Sequence, residues 1–324
     1  MSQLAETPVA IPEQEFLSPG MYSCPGCMAA LAMRHVLKAM GPNTIIALTT
    51  GCWAVIDGPF PYTSVKVPLL HGAFGTAASM ARGLRAALDI QGREEVQVLA
   101  WGGDGATFDI GMTALSAAAA YNENVLYVCY DNEAYMNTGG QQSTATLPGV
   151  RTTTTTESRL VGIRKKNIVE IMAAHRIPFA ATASIGYLGD LQRKVQFARS
   201  LKGFKFIHIH TPCPTGWQLP PDEGVRIARL AVRARIHPLY HVLDGQKYVI
   251  DLNPDPIPVK QYFETQRRRL LPLSEEELAW IQQDVDQQWQ TLLIRSQCAE
   301  GPGESESAGQ GMEISEAQRK EGIV

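Results

Sequence analysis

Two short apolar runs, each followed by a polar tract, constrain the fold of this 324-residue chain more than any other feature. Val96 to Ala100 leads into Trp-Gly-Gly-Asp-Gly, in which the aspartate is Asp104, and Asn124 to Tyr130 leads into Asp-Asn-Glu-Ala, in which the asparagine is Asn132. Short, aliphatic or β-branched runs of this kind are typical of buried strands. Asn132 follows Asp104 by 28 positions, about the length of one helical crossover between parallel strands. Both polar tracts are therefore predicted to meet at one edge of a parallel sheet.

The chemistry at this edge favours a divalent cation. A hard Mg²⁺ ion takes a few protein oxygens together with phosphate oxygens and water, so one Asp, one Asn and a backbone carbonyl are a suitable set. The glycines on either side of Asp104 would allow a ligand to approach the backbone closely. A Gly-Asp-Gly tripeptide is a common turn, so the prediction depends on the strand before it and the crossover after it.

The cysteines form a second constellation. The chain has six, and its first twenty residues lack a basic start followed by an apolar core, so we expect a cytoplasmic, reducing location. Cys24-Pro-Gly-Cys27 is then a metal, cluster or redox pair, and Cys52 and Cys213 follow expected strands. Four thiolates at one sheet edge could hold a [4Fe–4S] cluster or a structural zinc ion, and their spacing does not separate the two. We interpret Cys129 as a buried packing residue and Cys298 as an exposed residue, and neither as a ligand.

The motifs resemble those of a known family. The Gly-Asp-Gly to Asn segment resembles the thiamine-diphosphate (TPP) motif, and Asn-x-x-Tyr-x-Asn-Thr-Gly-Gly-Gln from Asn132 to Gln141 resembles the TPP-binding beta subunit of 2-oxoacid:ferredoxin oxidoreductases. The likeness runs from about Gly20 to Arg295 and is strongest to the pyruvate:ferredoxin oxidoreductase (pyruvate synthase) type. The Cys-x-x-Cys, Gly-Cys and Cys-Pro-Thr-Gly contexts are similar to those of the proximal-cluster ligands in that family.

The resemblance implies roles for individual residues. Mg²⁺ would be held by Asp104, the Asn132 side chain and the Ala134 carbonyl. The [4Fe–4S] cluster would be held by Cys24, Cys27, Cys52 and Cys213. Gly103, Gly105 and Thr107 would line the diphosphate, and Asn137 and Thr138 would be catalytic residues near the thiazolium and the substrate. Cys52 and His71 would also contact the cofactor, although a capping or core role fits His71 equally well.

The implied function is oxidative decarboxylation of a 2-oxoacid on TPP, with electrons passing through the cluster to ferredoxin or to a partner subunit, and with coenzyme A as an expected co-substrate. Pyruvate is the leading substrate. Phenylglyoxylate, oxalate or a branched 2-oxoacid stays open, because Phe74-Gly-Thr-Ala77 stands where many pyruvate enzymes are expected to have an acidic and an amide-bearing residue. A non-redox TPP-dependent decarboxylase or carboligase and a zinc-stapled structural partner are the alternatives.

Partners are implied as well. The chain has no convincing glutamate to activate the TPP aminopyrimidine, and in the family that glutamate comes from another subunit. We therefore expect a heteromer with an alpha-type subunit and a ferredoxin-like cluster subunit. A net charge of −3 and a pI near 6.2 predict no nucleic-acid partner, and the basic runs Arg164–Lys166 and Arg267–Arg269 are interpreted as solvated or subunit-facing surface. No apolar stretch reaches the roughly eighteen residues of a membrane span.

Alternating helix and strand patterns predict an α/β fold with a doubly wound, mostly parallel sheet. We expect an extended arm over residues 1–19, a TPP- and cluster-binding α/β domain over 20–236, a C-terminal extension over 237–298 and a flexible tail over 299–324. Within the domain, Gly72 to Leu88 reads as a close-packed helix. The extension should contain a short hairpin near Tyr248 and a helix capped by Ser274, and should pack on the core or on a partner.

Overall fold

The computed structural model describes residues 10–155, 164–266 and 273–298. Its strands form one eight-stranded sheet in the order β2-β1-β3-β4-β6-β5-β7-β8. Strands β1 to β6 are parallel to one another, whereas β7 pairs antiparallel with β5 and β8 pairs antiparallel with β7. The strands are β1 (Thr44–Thr49), β2 (Leu69–Gly72), β3 (Gln97–Gly103), β4 (Leu126–Asp131), β5 (Phe179–Ser184), β6 (Lys205–His210), β7 (Leu239–Leu243) and β8 (Lys247–Leu252). The predicted α/β fold class is confirmed.

Helices cover both faces of this sheet. They are α1 (Met28–Met40), α2 (Trp53–Ile56), α3 (Ala77–Ile90), α4 (Met112–Ala120), α5 (Ile168–Ala174), α6 (Leu188–Ser200), α7 (Pro214–Trp217), α8 (Gly224–Arg233), α9 (Val259–Glu264) and α10 (Glu275–Cys298), with a π-helical turn at Gly105–Ile110. Strand side chains alternate between two cores, one against α1 and α6 and the other against α3, α4, α5 and α10. None of these described helices is both long and apolar enough to cross a bilayer.

The strand order places a crevice where the predicted site residues lie. The chain leaves β1 for β2 on one side and then returns to β3 on the other, so the strand order reverses between β1 and β3. Ligands of open α/β sheets bind outside the carboxyl ends of strands at such a switch point. Cys52 follows β1, Asp104 follows β3 and Asn132 follows β4, so all three lie at this edge.

One local prediction was wrong. Residues 69–72 form the edge strand β2, paired with β1, so the helix begins at Ala77 and not at Gly72. The Gly- and Ala-rich composition hides this boundary, because it continues unchanged across the turn. Part of the expected N-terminal arm packs on the domain, since Phe16 and Leu17 are buried and Leu17 pairs with Val65. Two adjacent apolar residues without periodicity gave no sign of this packing.

The C-terminal region continues the same sheet. β7 pairs with β5, and β7 and β8 form an antiparallel hairpin. The predicted cap of α10 is present, since Ser274 N–H donates to Glu277 Oε2 at 2.8 Å and Glu277 N–H donates to Ser274 Oγ at 3.1 Å. The expected tail over 299–324 and the basic run at 267–269 lie outside the described residues.

Candidate active site

The turn after β4, residues 131–134, is named the metal loop here because it brings oxygen atoms towards Asp104. One terminal atom of the Asn132 carboxamide lies 2.9 Å from the Ala134 carbonyl oxygen and 3.1 Å from Asp104 Oδ1. In one orientation of the amide this atom is nitrogen and donates to both oxygens. In the other orientation it is oxygen, and three oxygens then converge, an arrangement that a cation stabilises. These residues therefore fit a hard divalent ion.

Backbone hydrogen bonds fix the metal loop in place. The Asp131 carbonyl accepts from Thr211, the Asn132 carbonyl accepts from Trp217 Nε1 at 2.9 Å, and the Glu133 carbonyl accepts from Thr146 Oγ1 at 2.7 Å. Glu133 has a left-handed backbone with φ of 64°, which costs a residue with a Cβ about 1–2 kcal/mol. This conformation turns the chain so that the side chain of Asn132 and the carbonyl of Ala134 face the same point.

Buried charges surround the loop. Asp131 Oδ2 lies 2.5 Å from Lys165 Nζ and 2.7 Å from His208 Nε2. Burial alone would raise the pKa of Asp131, but these two partners hold it well below its usual range. Burial raises the pKa of Asp104 well above its usual range, and the charge of Asp131 adds to this effect. Lys165 is thus a buried counter-ion of the acidic metal loop. The prediction that residues 164–166 form a solvated or subunit-facing surface was therefore wrong for Lys165.

A cavity of about 210 Å³ opens beside Asp104. It is lined by Thr50, Gly51, Cys52, Phe74, Gly103, Asp104, Gly105, Ala106, Tyr130, Asn132, Ala134, Tyr135, Met136, Asn137 and Thr138. Eight of the predicted cofactor and catalytic residues are in this set: Cys52, Gly103, Asp104, Gly105, Asn132, Ala134, Asn137 and Thr138. We name it the cofactor cavity.

Thr107 and His71 do not line the cofactor cavity. Thr107 is fully buried, and its hydroxyl donates to the Gly103 carbonyl at 2.7 Å and contacts Tyr127 Oη at 3.0 Å. His71 is on the edge strand β2, where Nε2 lies 2.7 Å from Asp57 Oδ2. The sequence placed it at a helix start, whereas it lies on β2 in parallel pairing with β1 and is not among the residues that line the cavity.

The glycine at position 105 has a packing role. A Cβ there would lie 2.5 Å from the Tyr135 ring, closer than side chains tolerate. Tyr135 in turn donates from its hydroxyl to Asp109 Oδ2 at 2.9 Å and packs against Phe74. The glycine therefore allows an aromatic wall to close over the turn after β3, where the sequence predicted only a ligand approach.

The four predicted cluster cysteines line one smaller cavity, the cysteine cavity, of about 110 Å³. Cys24 and Cys27 come from the loop before α1, Cys52 from the end of β1 and Cys213 from the segment after β6. The Gly216 N–H donates to Cys213 Sγ at 3.3 Å, as backbone amides do to cluster sulfurs. Cys129 is buried in β4 and Cys298 is exposed, and neither lines this cavity.

Burial raises the pKa of the Cys27 thiol to about 11 and that of the Cys52 thiol to about 12, and the nearby Cys213 adds to both shifts. Thiols bind metals as thiolates, so binding of a metal in this cavity at neutral pH would require these thiols to release their protons. No three His, Cys, Asp or Glu side chains in the described ranges are grouped to hold one metal ion.

The two cavities adjoin. Cys52, Asn132 and Asn137 line both of them. Sequence reasoning missed three further residues that contact the site: Ser143, which donates to Asp104 Oδ2 at 2.5 Å, Lys165 and Trp217. The charge of the Asp131–Glu133 tract was a usable signal for Lys165, since buried acidic residues require a counter-ion.

Comparisons with known proteins agree with this geometry. Residues 25–209 match the family model for the C-terminal TPP-binding domain of thiamine pyrophosphate enzymes. The chain is 45% identical over 287 residues to pyruvate synthase subunit PorB of Methanothermobacter marburgensis, covering 88% of this chain and 99% of that one. It is 40% identical over 295 residues to ketoisovalerate oxidoreductase subunit VorB of Pyrococcus furiosus, covering 88% and 94%.

Among solved structures, 2-oxoglutarate:ferredoxin oxidoreductase from Magnetococcus marinus shares the fold, with a TM-score of 0.53 and 23% identity over 66% of this chain and 79% of that one. Both sequence relatives match 88% of this chain at well over 30% identity. The chain therefore belongs to the TPP-binding beta subunits of the pyruvate and 2-oxoacid:ferredoxin oxidoreductases.

Proposed function

We propose that this chain binds Mg²⁺-TPP in the cofactor cavity and a proximal [4Fe–4S] cluster in the cysteine cavity, as the beta subunit of an enzyme that oxidatively decarboxylates a 2-oxoacid. The observation that carries the proposal is that four cysteines, distant in sequence, line a cavity that adjoins the cofactor cavity through Cys52, Asn132 and Asn137. Electrons released in one cavity would thus have an acceptor in the next.

The residues of the cofactor cavity have distinct tasks in this proposal. Asp104, the Asn132 carboxamide oxygen and the Ala134 carbonyl would hold Mg²⁺, which neutralises the diphosphate. Bound TPP supplies the electron sink that decarboxylation of a 2-oxoacid requires. Asn137 would orient the substrate where the two cavities meet. The Thr138 hydroxyl can donate its one proton to Gln141 Oε1 at 2.5 Å or to the Tyr135 carbonyl at 3.2 Å, and while it does so it would meet a ligand as an acceptor.

Partner subunits complete the proposal. Asp104 is the one carboxylate among the described residues that line the cofactor cavity, and no glutamate is among them. An alpha-type subunit would supply the activating glutamate, a ferredoxin-like subunit would carry electrons onward to ferredoxin or another acceptor, and coenzyme A would accept the acyl group. The relatives PorB and VorB are themselves named as subunits, which supports a heteromer.

Pyruvate is the proposed substrate because 45% identity to a pyruvate synthase subunit exceeds 40% to a ketoisovalerate oxidoreductase subunit. Phe74 lines the cofactor cavity and packs against Tyr135, so an aromatic side chain occupies the place where an acidic or amide residue was expected. Branched 2-oxoacids, phenylglyoxylate and oxalate are therefore comparison substrates. A non-redox TPP-dependent decarboxylase would use Asp104 and Asn132, but it would give the four cysteines no function.

The proposal is tested by co-expressing the chain with its partner subunits, purifying the complex anaerobically, and quantifying thiamine, iron and acid-labile sulfide. We expect both cofactors, together with turnover of pyruvate in the presence of coenzyme A and a viologen dye. TPP without iron assigned to this chain would support the non-redox alternative, and zinc without thiamine would support a structural one.

Cysteine variants assign the iron to this chain. Replacing Cys24, Cys27, Cys52 or Cys213 by Ser should lower iron and sulfide by one cluster per beta subunit, because a serine oxygen is a harder and poorer iron ligand than a thiolate. Cys298→Ser is the matched control, because that exposed thiol lies outside the cysteine cavity. Unchanged iron in all four variants would overturn the ligand assignment.

A further inference from the structure

Lys165 has a position that binding of TPP and a cluster does not by itself explain. It belongs to the long connection between β4 and α5, outside the lining of the cofactor cavity. Its ammonium is almost enclosed, with 17% of the side chain exposed, and lies 2.5 Å from Asp131 Oδ2 and 3.4 Å from Glu133 Oε1. Neither carboxylate is a proposed Mg²⁺ ligand, yet the two flank Asn132, which is.

The contacts of Asp131 transmit the position of Lys165 to the metal loop. Because Oδ2 of Asp131 faces Lys165 and His208, Oδ1 is left to accept the N–H of Glu133 at 2.8 Å. That bond spans the turn in which Glu133 has its left-handed backbone. The same turn directs the Asn132 side chain and the Ala134 carbonyl to one point beside Asp104.

Without an ammonium at this place, the carboxylates of Asp131 and Glu133 would be buried two positions apart with a repulsive interaction between them. Both are fully buried, so water would screen this repulsion little. A change in the left-handed turn between them would relieve this repulsion, and such a change would separate the oxygens of Asn132 and Ala134. Lys165 thus stabilises the one loop conformation that is suited to a metal.

We propose that Lys165 is a positioning residue for the divalent cation: it binds the two carboxylates that flank Asn132 and thereby preorganises the oxygens that hold Mg²⁺. The inference rests on the proposed Mg²⁺-TPP site and adds a residue that contacts neither metal nor TPP. Partners that orient metal ligands from behind commonly change metal affinity by about 10- to 100-fold when they are replaced.

The test uses the anaerobically purified complex with saturating TPP and Mn²⁺ in place of Mg²⁺, and measures the Mn²⁺ dissociation constant from the EPR signal of the free ion. We expect Lys165→Met to weaken Mn²⁺ binding by about tenfold or more, and Lys165→Arg to recover most of the loss because it keeps the charge. At saturating Mn²⁺ the kcat of Lys165→Met should approach that of the parent, whereas its apparent KM for the metal stays raised.

Lys166→Met is the matched control. The neighbouring Lys166 donates to the Phe108 carbonyl and lies 3.8 Å from Asp109, and these contacts within the described part of the chain do not involve the metal loop. It should bind Mn²⁺ as the parent does. Iron content is measured in every variant, since a general loss of structure would also remove the cluster.

Asp131→Asn keeps the inference testable if Lys165→Met does not fold. This variant keeps an oxygen to accept from Glu133 but loses the charge that pairs with Lys165, and we expect it to weaken Mn²⁺ binding. Parent-like Mn²⁺ affinity in Lys165→Met, or in Asp131→Asn where the first variant fails to fold, would overturn the role of Lys165 while leaving the proposed function intact. If the parent complex itself binds no Mn²⁺ with TPP, the proposed function and this inference both fail.

Discussion

Replacing Ser143 by Ala should weaken Mg²⁺-TPP binding, because Ser143 controls the orientation of the Asp104 carboxylate. The Ser143 hydroxyl donates to Asp104 Oδ2 at 2.5 Å, and both residues are buried, at 4% and 1% exposure. With Oδ2 held in this way, Oδ1 is the oxygen that faces Asn132. The substitution removes one hydroxyl, leaves the carboxylate in place, and also removes the acceptor for the N–H of Ala145 at 3.2 Å.

A hydrogen bond to a charged group contributes about 1.5–3 kcal/mol. Since about 1.4 kcal/mol corresponds to a factor of ten, we expect the dissociation constant of TPP at fixed Mg²⁺ to rise by about 10- to 150-fold if the bond acts mainly in the bound state. Titrating the complex with TPP and following tryptophan fluorescence measures this constant, because Trp217 contacts the metal loop.

Ser79→Ala is the control, since it deletes the same hydroxyl from an exposed helical position where the donor bonds only to the Thr76 carbonyl. A change of less than about twofold in Ser143→Ala, with a lowered melting temperature, would refute the reasoning. It would show that the hydroxyl stabilises the fold equally with and without the cofactor.

Three further predictions follow from the same contacts. Asp104→Ala should abolish TPP retention and leave iron content unchanged, because Asp104 lines the cofactor cavity and not the cysteine cavity. Thiamine and iron analysis of one preparation checks both, and normal TPP occupancy would remove Asp104 from the site. Lys205 is buried, and burial lowers its pKa from 10.5 to about 7, so between these two pH values the unfolded chain binds a proton that the folded chain does not. The free energy of unfolding should therefore rise between pH 7 and 10, and Lys205→Met should flatten that rise in thermal melts. An identical pH dependence in the variant would contradict the pKa shift. The isolated chain, reconstituted with TPP, Mg²⁺, coenzyme A and a viologen dye, should not turn over pyruvate; turnover comparable to that of the complex would show that the site is self-contained.

The β3–β4 unit could be predicted from the sequence because each step of it has a local signal. Short apolar runs marked the strands, the spacing of Asp104 and Asn132 gave the crossover, and parallel pairing then brought both to one edge. The capping box at Ser274 is local in the same way. The positions of Cys52 and Cys213 after strands indicated that four thiolates could meet at one sheet edge, and the family resemblance favoured a cluster over zinc there.

What the sequence did not reveal depends on tertiary pairing. The edge strand β2 is stabilised by a neighbour distant in sequence, which leaves no periodic pattern. The sequence predicted a hairpin near Tyr248, but it did not reveal that β7 pairs with β5 and so joins this hairpin to the sheet. The acidic tract at Asp131 and Glu133 signals a buried counter-ion, but Lys165 has basic neighbours on both sides, so only the structure shows which of the three supplies it. Thr107 follows the Gly-Asp-Gly tract, but the π-helical turn directs its hydroxyl back to Gly103.

The central claim is that electrons pass from the cofactor cavity to a cluster in the cysteine cavity of the same chain. Its most direct test is to add pyruvate to the anaerobic, TPP-loaded complex without any external acceptor and to record the EPR spectrum of the reduced clusters. We predict a reduced [4Fe–4S] signal in the parent complex and no substrate-dependent signal in Asp104→Ala, although dithionite should reduce the clusters of both. A pyruvate-dependent signal of equal size in Asp104→Ala, or none in a parent complex that carries both TPP and iron, would contradict the account.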